Sequence, residues 1–139
     1  MIKKIKLLNK KDAPLLMRVR IGGVDCIVVV DTGANYTVLD RSFAKKYTAC
    51  EDNEDGSEMI GVGYSDTFDS SDFCCMMEVL DSDGGWNAML LEGIAVDLND
   101  LKQACKELTD LPVVGIVGTM WLDYWKAKID VRKKTITLE

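Results

Sequence analysis

Apolar and polar residues alternate along much of this chain. Leu15, Met17, Val19 and Ile21 share one face of a strand while Arg18 and Arg20 take the other. "GGVD" at 22–25 turns this strand back into "CIVVV" at 26–30, a hairpin whose second arm is apolar at every position. A five-residue run rich in β-branched residues predicts a strand buried on both faces. Shorter alternation marks 3–8, with Ile5 and Leu7 set against lysines. The stretches 73–80 and Trp86–Val96 read as a second hairpin closed by "DSDGG", and Val113–Val117 as another buried strand. "KAKIDVRKKTITLE" reads as a final hairpin turning at 132–134, with Thr135–Leu138 returning along it. Helical periodicity is clear only at 97–108, where Leu98, Leu101, Cys105 and Leu108 line one face, Asp97 can cap and Pro112 follows. Arg41–Tyr47 and 118–125 have room for a helical turn or two. The pattern predicts a mainly β, single-domain chain over 1–139 with one or two short helices.

Composition narrows the functional classes. With 47% apolar and 29% charged residues the chain is globular, and no apolar run approaches the length needed to span a bilayer. The basic start lacks an apolar h-region and a cleavage site, so the expectation is a cytoplasmic protein without a signal peptide. A net charge of −6 argues against nonspecific nucleic-acid binding, and with no apolar run of spanning length the expectation is neither a nucleic-acid nor a membrane partner. The lysines at 3, 4, 6, 10 and 11 read as an edge-strand fringe. Five cysteines, an odd number without C-x-x-C spacing, point to reduced thiols rather than a disulfide framework or zinc site. The acidic loop at 50–58 opens with calcium-loop spacing but has Val62 where the bidentate Glu belongs. There is no histidine, which removes Ser-His-Asp and Cys-His catalysis and every His-ligated metal. Acid–base chemistry would then fall mainly to carboxylates, Lys, Tyr or Cys.

One carboxylate is badly placed for an ordinary strand. Asp31 ends the apolar run at 26–30 and is followed by Thr32 and Gly33. Burying part of a charge there is costly unless something compensates it. One explanation is structural, an Asx-turn in which its oxygens accept backbone N–H bonds from Gly33 or Ala34. The other is chemical.

The segment "VVDTGANYTVLD" resembles the active-site segment of the retropepsin-like aspartic proteases: apolar residues, Asp31-Thr32-Gly33-Ala34, two variable positions, then Thr37-Val38-Leu39. Ile60-Gly61-Val62-Gly63 is similar to that family's flap, a hairpin tip that closes over substrate, and Tyr64 follows it. Ile116-Val117-Gly118 is similar to the apolar-apolar-Gly strand behind the active-site loop, with a short helix after it. The resemblance implies a single-lobe acid-protease barrel that assembles as a symmetric homodimer, needs no cofactor or metal, and acts on a peptide or protein substrate. It implies catalytic roles for Asp31, Thr32 and Gly33, and substrate contacts for Ala34, Asn35, Ile60, Gly61, Val62, Gly63 and Tyr64. The second motif is Ile116, Val117 and Gly118. The chain has one Asp-Thr-Gly, so the second carboxylate would be Asp31 of another copy. Two adjacent carboxylates share one proton, one serving as general base on water and the other as general acid.

Asn35 and Thr119 stand where retroviral members carry an Asp–Arg pair, a departure that points to the cellular and bacterial branch, and Ala34 stands where pepsin-type sites carry a serine. Without a hydroxyl at 34 the expected activity optimum is mildly rather than strongly acidic. The helix at 97–108 looks like an insertion. The competing reading is a non-catalytic dimeric module that keeps the fold and binds peptides without cleaving them.

Overall fold

A computed structural model describes residues 3–52, 57–61, 64–68 and 70–139, with the backbone alone described at 57–61 and 64–68. Strand β1 (Lys3–Lys6) precedes the first predicted hairpin, whose arms are β2 (Leu15–Ile21) and β3 (Val24–Val30). Their turn uses Gly22 and Gly23, both at positive φ (59° and 79°), the geometry that lets a two-residue turn follow the strand twist. Next come β4 (Val38–Asp40), α1 (Arg41–Tyr47), β5 (Ala49–Asp52) and the hairpin β6 (Ser57–Gly61) and β7 (Tyr64–Phe68). The long predicted hairpin forms as β8 (Ser71–Leu80) and β9 (Trp86–Val96). Helix α2 (Asn99–Cys105), β10 (Val113–Val117), α3 (Thr119–Tyr124), β11 (Lys128–Asp130) and β12 (Thr135–Leu138) complete the order.

The main sheet runs β2-β3-β10-β4-β9-β8 and closes on itself where β8 pairs back to β2 through Val19↔Val79 and Ile21↔Met77. The result is a six-stranded barrel, with β5 added to β8. Strand β10 lies parallel to β3 and antiparallel to β4, so the two apolar runs of the sequence are neighbours. Closure buries a core that includes Val19, Ile21, Cys26, Val28, Val30, Leu39, Met77 and Leu91. A second cluster forms on the outer face of β3, where Ile27 and Val29 meet Leu16, Cys105 and Val113, flanked by Leu101 and Leu108. The 26–30 run of β3 is apolar at every position because α2 covers the face that the barrel interior does not. This places the inserted helix on the back of the sheet.

Helix α2 is shorter than the periodicity predicts. The Asp97 carboxylate accepts the Asn99 N–H (2.9 Å), so the chain turns before the helix starts. Beyond Cys105 the bonds tighten to three-residue spacing, Lys106 N–H to Gln103 O and Leu108 N–H to Cys105 O. The buried Asp40 carboxylate fastens this helix to the barrel. It accepts the Leu98 N–H (3.2 Å) and the Ser42 hydroxyl (2.8 Å) and pairs with Lys102 (3.3 Å).

The termini form a separate sheet, β1-β12-β11. Thr135–Leu138 pairs with Lys128–Asp130 as the final hairpin predicts, and β1 adds to its other side through Ile5↔Ile136. The lysines at 3, 4 and 6 thus sit on an edge strand, where charge opposes further pairing. No helix among the described residues is long and apolar enough to cross a membrane.

Candidate active site

Asp31 stands where the parallel strands β3 and β10 end together. Val30 pairs with Val117, and the ladder extends one step further as the Asp31 N–H donates to Val117 O (3.0 Å). The chain then reverses. Asp31 Oδ1 accepts the Gly33 N–H (2.8 Å), and the Asp31 carbonyl accepts the Ala34 N–H (3.3 Å). This is the Asx-turn offered by the structural explanation of the motif, and it accounts for one carboxylate oxygen. Among the described residues no hydrogen bond is made to Oδ2, and the side chain is half-buried. Thr32 and Gly33 are exposed, at the outer surface of the loop.

The second motif supports the first from behind. Gly118 follows β10 and lies against the loop: a Cβ on it would stand 2.5 Å from Tyr36 O and 2.6 Å from Ala34 O. Only glycine lets the two segments approach this closely. The helix that begins at Thr119 has no side-chain cap. Its first donors are instead taken by the Asp31 loop, Thr119 N–H to Ala34 O (2.8 Å) and Met120 N–H to Asn35 O (3.0 Å). The structure therefore brings together Asp31, Thr32, Gly33, Ala34 and Asn35 with Val117 and Gly118. Ile116 contributes differently, pairing with Val29 and Val38 and packing toward the α2 side.

The glycine-rich segment forms a hairpin as predicted, with Ile60 opposite Ser65 and Gly61 opposite Tyr64. Val62 and Gly63, assigned to its tip, lie outside the described residues. No backbone–backbone hydrogen bond among the described residues joins this hairpin to the Asp31 loop.

Aromatic residues around the loop divide in a way the sequence pattern left unresolved. Trp121 and Leu122 are buried and Trp125 packs against the core. Met120 and Tyr124, one helical turn apart on the opposite side, are 61% and 73% exposed. Their i, i+4 spacing was the signal available in the sequence. Together with Tyr36 they border a groove beside the active-site loop.

Neither a family model nor a curated protein sequence matches the chain. Solved structures do. EIAV protease complexed with the inhibitor HBY-793 is 17% identical, with a TM-score of 0.54 over 90% of this chain and 100% of that one. A retropepsin-like aspartic protease from Rickettsia conorii is also 17% identical, with a TM-score of 0.53 over 99% of this chain and 90% of that one. The retroviral protease-like domain of Ddi1 from Leishmania major matches at 17% identity and a TM-score of 0.51, over 93% of this chain and 90% of that one. The chain has the retropepsin-like fold.

Proposed function

We propose that this chain is an aspartic endopeptidase, active as a symmetric homodimer in which Asp31 of each copy supplies one carboxylate. The observation that carries the proposal is the state of Asp31. One oxygen is fixed by the Gly33 N–H, the loop is braced by Gly118 and the start of α3, and the outer oxygen has no partner among the described residues. An Asp serving only its turn would not need such bracing. Two such loops facing each other across a two-fold axis bring like charges close together, and the pair holds one proton in common.

The ionised carboxylate takes a proton from a water lying between the two side chains, and that water attacks the peptide carbonyl. The protonated carboxylate hydrogen-bonds the developing oxyanion and delivers its proton to the leaving nitrogen. In the proposed dimer Thr32, exposed on the loop, hydrogen-bonds across the axis, and Gly33 lets substrate backbone approach without a Cβ in the way. Asn35 and Ala34 border the substrate on one side, and the hairpin that carries Ile60, Gly61 and Tyr64 covers it as a flap; Val62 and Gly63, assigned to the same role, lie outside the described residues. All five cysteines are free, which fits a reducing compartment such as the cytoplasm.

Asp31→Asn tests the reading. The variant keeps the Gly33 bond through its amide oxygen, so its melting temperature should stay within a few degrees of wild type. Its cleavage of a proteome-derived peptide library should fall at least about a thousandfold, as expected when a member of a cooperating catalytic pair is lost. Retained turnover with an unchanged fold would exclude the mechanism.

A further inference from the structure

We infer that the groove bordered by Tyr36, Leu90, Met120 and Tyr124 is an outer docking site for a flanking segment of the polypeptide substrate, one that carries a basic residue beside bulky apolar ones. The inference rests on the endopeptidase reading above and adds a substrate preference to it. The groove measures about 520 Å³. It is continuous with the catalytic loop, because Tyr36 and Thr37 belong to the loop that carries Asp31 and also line the groove. Its far wall, α3, is bound to the same loop through the Ala34 and Asn35 carbonyls. Substrate held at Asp31 and substrate held in the groove would therefore contact one rigid unit.

The lining specifies the chemistry. Met120 and Tyr124 present an apolar face from the helix, and β9 presents Leu90, 47% exposed, from the strand. Exposed large apolar side chains gathered at one concavity mark a contact surface rather than scattered surface residues. The charged residues of the lining are Asp72 and Glu92, with no Lys or Arg among the lining residues. Glu92 stands opposite the uncharged Cys74 on β8, and among the described residues it enters no ion pair. An apolar trough with an acidic margin complements a segment that is both apolar and basic. The buried Trp121 indole N–H has no acceptor among the described residues, and Trp121 also lines the groove. A docking strand brings backbone carbonyls, the acceptor type this indole lacks.

The test uses the wild-type chain and two variants outside the catalytic loop, Glu92→Gln and Leu90→Ser. A library peptide cut by wild type is extended at each end in turn with Leu-Arg-Phe, Leu-Glu-Phe or Gly-Ser-Gly. On one side of the scissile bond, Leu-Arg-Phe should lower KM about five- to tenfold relative to Gly-Ser-Gly, with kcat unchanged. Leu-Glu-Phe should give little of this gain. Glu92→Gln should remove the Arg-over-Glu preference, and Leu90→Ser should weaken both apolar extensions. Both variants should cut the unextended peptide at the wild-type rate. Equal KM for the Arg and Glu extensions, or a preference that survives in both variants, would overturn the inference while leaving the endopeptidase reading in place. A shift of the variants to a smaller sedimenting species would also overturn it, by making the groove a contact between copies. Failure to cut any peptide would overturn the endopeptidase reading, and this inference with it.

Discussion

Asp31 uses one carboxylate oxygen and leaves the other open. Its Oδ1 closes a turn, and its other oxygen has no hydrogen-bond partner among the described residues. The turn could be anticipated from Asp-Thr-Gly alone, since Asp accepts N–H bonds two residues on. What three residues could not convey is the bracing, which comes from a segment more than eighty residues later. Gly118 is the clearest case. Its Cβ in a Gly118→Ala variant would meet the carbonyls of Tyr36 and Ala34, both backbone atoms that cannot turn aside. The variant should lose about 2 kcal/mol of stability, and its activity should fall further than stability explains, because the displaced loop carries Asp31. Chemical denaturation alongside kcat would show this. Wild-type values for both would mean that the loop tolerates displacement.

Helix α2 shows which features of an element are written locally. Its apolar stripe was legible, and Leu101, Cys105 and Leu108 do face the sheet. Its ends were not, because Asp97 bonding to Asn99 and the tightened turns after Cys105 are local competitions that periodicity ignores. The partner of Lys102 was also out of reach, since Asp40 lies 62 residues earlier in the chain. Burial pushes the Asp40 carboxyl upward, but the bonds from Ser42, Leu98 N–H and Lys102 together outweigh it and hold it below the usual carboxylate range. A carboxyl depressed in the folded state stabilises it fully above the unfolded value, near pH 4, and the contribution is lost as pH falls through the folded value. Lys102→Met should therefore cost about 1–2 kcal/mol at pH 7, discounted for the partly exposed lysine. The gap between variant and wild type should narrow below about pH 4, as Asp40 takes up a proton in both. A gap that stays constant from pH 7 to pH 3 would show that the ion pair is not what Lys102 contributes.

The hairpins were legible because each is specified by alternation and a turn between adjacent segments. Closure of the barrel was implied by the family resemblance alone, since the pairing of β2 with β8 joins surfaces that no local pattern links. The groove likewise joins distant segments, drawing on the active-site loop, β8, β9 and α3. The two termini illustrate the balance between local and distant pairing. The alternation of Ile5, Leu7, Ile136 and Leu138 suits a strand exchanged between copies, yet within one copy β12 already has β11 on one side and β1 on the other. Both sides of β12 are thus filled within one copy. The proposed catalytic site is different, because one chain carries a single Asp-Thr-Gly, with Thr32 and Gly33 exposed, and the proposed mechanism needs two carboxylates. Specific activity measured beside sedimentation across a dilution series asks directly whether one chain suffices. Activity per chain should fall with the dimer fraction, both following one dissociation constant. Activity per chain that holds steady after sedimentation shows only monomer would contradict the paired-carboxylate mechanism.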